Sequence, residues 1–257
     1  MSKNFELMQQ AGREQELLTG RPARAAAAAA GAGSSRATVS RGAAEMDVNQ
    51  VAAEEALRLV HRVFLNHVQD PARAVVFAGV DHGNGCSRIC VDVALALAKN
   101  LQGSVCLVEA NLHSPSLPAM FGTTNHHGLT DALSNDGAIR SFAKLVQGDN
   151  LWLVSSGSMD ARSGGVINPE KMKARIAELR KEFDYVLIDA PPLNEYSEAA
   201  AIAQYSDGLI LVLEANSTRR EAAVRIADNL RAAQIRLLGA VLNKRTFPIP
   251  QTLYKLL

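Results

Sequence analysis

The sequence predicts an α/β domain in which helices cover both faces of a mostly parallel sheet. Short apolar runs rich in β-branched residues alternate along the 257 residues with longer segments whose apolar positions recur at helical spacing. The short runs are apolar almost throughout, which is typical of strands that are buried on both faces. Together these observations favour three layers, with the sheet between two layers of helices.

The first clear strand and helix of the chain enclose a glycine-bearing turn. Ala74–Gly79 has the pattern of a buried strand, and residues 81–85 (DHGNG) form the turn. The apolar residues that follow, Ile89, Val93 and Leu97, recur at helical spacing. A strand, a glycine turn and a helix N-terminus together direct backbone N–H groups toward an anion. The sequence therefore predicts an anion-binding loop at this place.

This loop fits the phosphate-loop pattern G-x-x-x-x-G-K-[ST] only in part. Residues 80–87 are V-D-H-G-N-G-C-S, so Gly85 and Ser87 stand where the pattern requires them. Val80 replaces the first glycine, and Cys86 replaces the lysine. The sequence thus predicts a nucleotide loop that has kept its shape and lost its positive charge.

The rest of the chain continues the alternation of strands and helices. Further strands are predicted at Ser104–Glu109, Leu151–Ser155, Tyr185–Asp189, Gly208–Glu214 and Leu237–Leu242. Helices are predicted at Leu129–Leu133, from the cap residue Asn168 to Glu182, and at Glu195–Tyr205 and Thr218–Ala233. In such sheets ligands bind beyond the carboxyl ends of the strands. The glycine loop, Glu109–His113 and Asp189 bring polar groups to that edge.

The two ends of the chain are predicted to lie outside the domain, which spans residues 47–245. Asp47–Gln69 has helical periodicity, with Asp47 as a plausible N-cap. Residues 1–46 are expected to be a flexible extension, because Arg21–Ala44 is rich in Ala, Gly and Ser. A basic arm for acidic lipid or nucleic acid is the disfavoured alternative, since its charges are sparse. The tail, residues 246–257, contains Tyr254, which is expected to be a packing anchor.

Composition narrows the classes of function. The formal net charge of +1 gives no field that would favour nucleic acid or an anionic membrane surface. Three cysteines without framework spacing suit a reducing compartment. No stretch approaches the roughly 20 apolar residues of a membrane span, and the first residues lack a secretory signal. A cytoplasmic protein is therefore expected.

Several segments carry a family resemblance. They are residues 83–87 (GNGCS), 107–117 (LVEANLHSPSL) with 120–122 (MFG), 128–133 (GLTDAL), 184–192 (DYVLIDAPP) and 240–243 (AVLN). In this order and spacing they resemble the P-loop ATPases of the Min/Par type. They resemble more closely the bacterial tyrosine kinases of capsule and exopolysaccharide gene clusters, the CpsD/CapB type. The resemblance covers residues 54–244.

The resemblance implies a three-layer P-loop NTPase-type fold that binds ATP and Mg²⁺. It assigns nucleotide binding to the loop residues Gly83, Asn84, Gly85, Cys86, Ser87 and Arg88. It assigns the metal to Ser87 and Asp189, and catalysis to Glu109 and Asp189. Arg88 would supply a cation only if it faced the loop, and its place in the first helical turn directs it elsewhere.

The departures from the family pattern concern the chemical positions. Cys86 replaces the loop lysine, and loss of one preorganised donor costs about 3 kcal/mol, or 10²–10³ in rate. Residues 107–117 match an acidic motif of the family. Its two aspartates correspond to Glu109 and Asn111, and its arginine corresponds to His113. Ala190 replaces the Thr or Ser beside Asp189. We expect catalysis to be impaired.

The resemblance leads to three hypotheses for function. The favoured one is a catalytically impaired, tyrosine-kinase-like protein that regulates or partners a membrane polysaccharide co-polymerase, peripheral to the inner membrane. The second is an active tyrosine autokinase with Tyr254 as its acceptor. The third is a Min/Par-like nucleotide switch. The ring motif E-x-x-R-x-x-R of the family corresponds to Glu55, Arg58 and His61, and Arg62 lies one residue beyond the last position. A solvated helix face explains these charges equally well.

The cysteines of the loop helix permit two other hypotheses. Cys86 and Cys90 stand four residues apart, with His82 nearby, but a metal site would need further ligands, and ordinary thiols are the simpler interpretation. At a helix N-terminus Cys86 is expected to have a lowered pKa, which would make it sensitive to oxidation. Trp152, within a predicted strand, is expected to lie in the core.

Overall fold

A seven-stranded sheet forms the core of the described domain. The computed structural model describes residues 40–65, 71–158 and 168–245. The strands are β1 (Ala74–Gly79), β2 (Val105–Glu109), β3 (Lys144–Gln147), β4 (Leu151–Val154), β5 (Tyr185–Ala190), β6 (Gly208–Glu214) and β7 (Leu237–Asn243). Their order across the sheet is β3-β4-β2-β5-β1-β6-β7, and β3 alone among these seven runs antiparallel to its neighbour. The predicted mostly parallel sheet is confirmed.

Helices lie on both faces of this sheet. They are α1 (Ser40–Val60), α2 (Cys86–Asn100), α3 (Leu117–Met120), α4 (Leu129–Ser134), α5 (Pro169–Glu182), α6 (Glu198–Ala203) and α7 (Arg220–Ala232). One hydrophobic core contains α4, α5, α6 and α7, and the other contains α2 with the end of α1. The predicted three layers are therefore confirmed.

The central strand explains why the apolar runs lack alternation. Val76 and Ala78 of β1 belong to one core, whereas Val75 and Phe77 belong to the other. All four side chains are fully buried, because both faces of the sheet are covered. A strand with an apolar residue at every position is what this arrangement requires.

The helix predicted for Asp47–Gln69 begins earlier than expected. It starts at Ser40, so the prediction of a flexible extension is wrong for residues 40–46, and Asp47 is not its N-cap. Alanines at residues 43 and 44 are strong helix formers, which is consistent with a start upstream of the capping residue. The helix ends at Val60, a π-helical turn continues to Leu65, and residues 66–70 lie outside the described part. Residues 1–39 and the tail with Tyr254 also lie outside it.

Three short elements were missed by the sequence reading. They are β3, α3 and a 3₁₀ turn at Ile139–Phe142. Each spans four residues, and such lengths give too few positions to define a period.

Trp152 of β4 packs against the edge of the core beneath the Arg140 guanidinium, which lies 4.5 Å from the ring centroid. None of the described helices is both long and apolar enough to cross a membrane.

Asp207 forms hydrogen bonds at the amino ends of the central strands. Its Oδ2 accepts hydrogen bonds from the backbone N–H groups of Arg73 and Ala74 at 2.7 and 2.8 Å, and its Oδ1 lies 2.5 Å from Arg180 Nη2. Burial opposes ionisation of this carboxyl, but the two N–H groups and the guanidinium lower its pKa. Both oxygens of Asp207 are therefore paired, in contrast to those of Asp189 at the carboxyl edge.

Candidate functional site

The loop after β1 has the predicted glycine turn. Gly83 and Gly85 both have φ of 81°, in the left-handed region that favours glycine. At Gly85 a Cβ atom would also overlap Asn243 Nδ2. The backbone conformation therefore favours glycine at this position, and a side chain there would displace the Asn243 amide from the loop. The turn leads directly into the N-terminus of α2. Loops that bind phosphate also precede a helix N-terminus.

Asn84 holds the loop from within. Its side chain is buried, and its Oδ1 accepts a hydrogen bond from the Asp81 N–H at 2.7 Å. Its Nδ2 donates to Glu214 Oε2 at 3.4 Å, which links the loop to the end of β6. The predicted loop residue Asn84 therefore shapes the loop rather than presenting its side chain to solvent.

Two residues at the end of β7 also bind the loop. Asn243 Nδ2 donates to the Asn84 carbonyl oxygen at 2.9 Å, and Lys244 Nζ donates to the Gly83 carbonyl oxygen at 2.8 Å. Lys244 Nζ also lies 3.2 Å from Glu214 Oε1. Glu214 and Lys244 were not among the predicted site residues. The available signal was their position, directly at the ends of two apolar strands.

Glu109 and Asp189 lie side by side below the loop. They are paired in register at the ends of the adjacent strands β2 and β5, and both are fully buried. Glu109 Oε1 accepts hydrogen bonds from the N–H groups of Ser116 and Leu117, whereas its Oε2 has no hydrogen-bond partner among the described residues. Burial raises the pKa of Glu109. The structure thus brings the two predicted catalytic carboxylates together.

Asp189 is the least satisfied polar group of the site. Neither of its oxygens has a hydrogen-bond partner among the described residues. Burial raises its pKa to about 7, and the charge of Glu109 acts in the same direction. Ser87 and Cys86 lie close enough to favour the ionised form, but neither completes a hydrogen bond of ordinary geometry. Buried polar atoms without partners are uncommon and mark places where a ligand or an ion is expected.

The thiol of Cys86 turns inward beside these carboxylates. The side chain packs against the core that contains α2, next to Asp189 and Cys90. Burial raises the pKa of this thiol well above its usual range, and the negative charge of Asp189 raises it further. The expectation of a lowered pKa for Cys86 is therefore wrong, because burial and a neighbouring carboxylate outweigh the helix N-terminus. A neutral thiol stands where the phosphate-loop pattern has a cation.

Ser87 and Arg88 begin α2 with different orientations. Ser87 lies close enough to Asp189 to lower the pKa of that carboxyl. Arg88 Nε binds Asp92 Oδ1 at 3.0 Å, one turn further along the exposed face of the helix. The structure therefore brings Ser87 into the site and directs the Arg88 guanidinium along α2, as its position in the first turn predicted.

The loop after β2 carries the remaining departures from the family pattern. Asn111 is buried, and its Oδ1 accepts a hydrogen bond from the Ser114 N–H at 3.3 Å. The His113 ring stacks on Tyr196 with 3.7 Å between centroids, and its Nε2 lies 3.0 Å from Glu198 Oε1. His113 thus joins this loop to α6 instead of presenting a cation to a ligand.

The carboxylate and hydroxyl oxygens of the site fit a magnesium ion. Mg²⁺ prefers oxygen ligands, often one or two carboxylates together with phosphate oxygens. Asp189 offers two unpartnered oxygens, Glu109 offers one, and Ser87 adds a hydroxyl. A cation would also relieve the repulsion between the two carboxylates. The loop amides fit a phosphate group, whereas the residue at the lysine position supplies no charge.

Comparisons with known proteins agree with this geometry. The model of the ParA family, described as NUBPL iron-transfer P-loop NTPase, matches residues 72–255. Tyrosine-protein kinase YwqD of Bacillus subtilis is 26% identical over 172 residues, which cover 66% of this chain and 72% of YwqD. Among solved structures, the chimerical protein CapA2B2 superposes with a TM-score of 0.69 and 19% identity over 76% of this chain and 85% of its own. The kinase domain of VpsO gives 0.67 and 22% over 79% and 98%. The resemblance predicted from the motifs is confirmed.

Proposed function

Because the chain belongs to the ParA family of P-loop NTPases, we propose that it is a tyrosine-kinase-like member impaired in catalysis. Its role is in capsular or exopolysaccharide biosynthesis or export, where it regulates or partners a membrane polysaccharide co-polymerase. Relatives named tyrosine-protein kinases support the kinase-like part of this proposal. The impairment is inferred from Cys86, which stands at the position of the loop lysine and packs against the core beside Asp189.

The missing charge bears directly on phosphoryl transfer. Such enzymes act by positioning the phosphates and by stabilising the charge that spreads over them in the transition state. Loss of one preorganised donor costs about 3 kcal/mol, which corresponds to 10²–10³ in rate. His113 stacks on Tyr196 and binds Glu198, so it is engaged within the protein. Fewer side chains are therefore available to stabilise the charge of the transferred phosphoryl group.

The surviving groups suit binding better than transfer. Ser87, Asp189 and Glu109 would hold Mg²⁺, which would bridge phosphate oxygens when bound and neutralise part of their charge. The amides of the glycine loop would hold the phosphates at the N-terminus of α2. Asp189, with a pKa raised to about 7, would lose its proton as a cation bound. These residues support weak nucleotide binding without efficient chemistry.

Recognition of other proteins is the role that the retained scaffold supports. The loop is held by side chains at the ends of β6 and β7. Along α1 and the turn after it, Glu55, Arg58 and Arg62 are exposed, and Glu55 pairs with Arg58 at 2.6 Å within the chain. We propose that this exposed segment mediates self-assembly. The protein would act in the cytoplasm, at the inner membrane through its partner.

Phosphotyrosine formation tests the proposal. Purified full-length protein is incubated with Mg-ATP, and phosphotyrosine per chain is measured by mass spectrometry. We expect substoichiometric label, no different from that of the Asp189→Asn variant. Stoichiometric autophosphorylation would overturn the proposal, and its loss in Tyr254→Phe would establish the alternative of an active autokinase. The sequence keeps Ser87 and Asp189, the two residues that the resemblance assigns to the metal, and this observation favours the alternative.

A further inference from the structure

Lys244 places an ammonium group against the glycine loop from another strand. Its Nζ donates to the Gly83 carbonyl oxygen at 2.8 Å and lies 3.2 Å from Glu214 Oε1. The side chain is half exposed, so its amine is accessible from solvent. The backbone of Lys244 has φ of 54°, an uncommon conformation for a residue other than glycine. Lys244 directly follows Asn243, whose side chain also binds the loop.

The site needs such a cation. Two buried carboxylates with three unpartnered oxygens lie below the loop. The thiol of Cys86 turns toward them and remains neutral, and Arg88 is bound to Asp92. A diphosphate or triphosphate held by the loop amides would add negative charge to this region. A positive group close to the loop would offset that repulsion.

We propose that Lys244 supplies the phosphate-neutralising charge that the loop itself lacks. In the structure its ammonium binds the Gly83 carbonyl and Glu214. When a nucleoside di- or triphosphate occupies the loop, the flexible side chain exchanges the neutral carbonyl for a charged phosphate oxygen. A hydrogen bond to a charged acceptor is about twice as strong as one to a neutral acceptor, which favours this exchange. The proposal rests on the retained nucleotide-shaped loop of the proposed function.

Glu214 competes with the phosphate in this arrangement. Its carboxylate accepts from Asn84 Nδ2 and pairs with Lys244, so it holds the ammonium beside the Gly83 carbonyl. Replacement of Glu214 by glutamine keeps a hydrogen-bonding side chain and removes the charge that restrains Lys244. Glu214→Gln should therefore strengthen binding of polyphosphates, whereas Lys244→Met should weaken it.

Calorimetric titration of the full chain with ATP, ADP and AMP in the presence of Mg²⁺ tests the proposal. We expect Lys244→Met to weaken ATP and ADP binding about tenfold, or about 1.4 kcal/mol, and to leave AMP binding unchanged. Lys244→Arg should keep most of the affinity, and Glu214→Gln should raise it severalfold. Lys181→Met removes an exposed lysine from the last turn of α5 and serves as the matched control.

Two results would overturn the assignment of Lys244. One is ATP affinity in Lys244→Met equal to that of the unaltered protein, with circular dichroism and thermal unfolding showing that the variant is folded. The other is the absence of any ATP binding by the unaltered protein, which would leave the proposed partner role standing. Stoichiometric autophosphorylation, in contrast, would overturn the proposed function. The calorimetric titration of Lys244→Met would still decide whether Lys244 binds the phosphates.

Discussion

Asp189→Asn should stabilise the protein by about 1–3 kcal/mol at pH 8 in the absence of divalent cations, because the cost of a buried amide without partners offsets part of the gain. The pKa of Asp189 is raised by burial from 3.8 to about 7, so the ionised carboxylate is unfavourable in the folded state. Each unit of this shift corresponds to 1.36 kcal/mol, which gives an upper limit of about 4 kcal/mol. Asparagine has nearly the same shape and removes the charge. Urea unfolding in EDTA provides the measurement.

The pH dependence of this effect has a definite sign. Between pH 3.8 and about 7 the folded state binds more protons than the unfolded state, so stability falls as pH rises. The difference between Asp189→Asn and the unaltered protein should therefore be largest above pH 7 and should vanish near pH 4. A destabilised Asp189→Asn variant at pH 8 would contradict the unfavourable burial of this carboxylate.

Asp207 provides a matched control of opposite sign. Two backbone N–H groups and Arg180 lower its pKa against the effect of burial. Its contribution to stability is present above its unfolded pKa of 3.8 and is lost as pH falls through the lower folded pKa. Asp207→Asn should accordingly lose stability at neutral pH, by about 1–3 kcal/mol, whereas Asp189→Asn gains it.

Cys86→Lys should tighten ATP binding by about 10². Gly83 and Gly85 both have φ of 81° in the turn before α2, and the residue at the lysine position of the phosphate-loop pattern carries no charge. A preorganised cation on the phosphates contributes about 3 kcal/mol, which corresponds to about 10² in affinity. Calorimetry with Mg-ATP measures the change, and Cys86→Met, which adds length without charge, is the control.

The structure also defines how this prediction can fail. The thiol of Cys86 lies next to Asp189, so a lysine there has two alternative partners, the phosphates and the carboxylate. If Cys86→Lys gains stability above pH 7 but no affinity for ATP, the lysine has paired with Asp189 and the loop is not poised for phosphate. Equal ATP affinity in the lysine and methionine variants would likewise contradict a loss of charge alone.

The fold was predictable because its signals are local. Each buried strand is a short apolar run, and the glycine loop lies within a few residues of one of them. The cap at Asn168 was also correct, since its Oδ1 accepts from the N–H groups of Glu170 and Lys171. Asp189 could be placed at a strand end because the register of parallel strands brings their carboxyl ends to one edge.

The groups that surround the loop were less predictable because they come from distant parts of the chain. Lys244 is 161 residues from Gly83, and no local pattern indicates that the two meet. The direction of the Cys86 thiol depends on a side-chain rotamer and on burial, and this is why its pKa was predicted with the wrong sign. The start of α1 depends on alanine propensity, which outweighed the capping preference of Asp47.

Single-turnover release of phosphate from ATP, with protein in excess and Mg²⁺ present, tests most directly whether the loop has kept its shape and lost its chemistry. For the unaltered protein we predict a rate about 10²–10³ lower than that of Cys86→Lys. We predict a measurable rate for Cys86→Lys. Release by the unaltered protein at a rate comparable to that of Cys86→Lys would show that the loop needs no lysine and would contradict the proposed impairment.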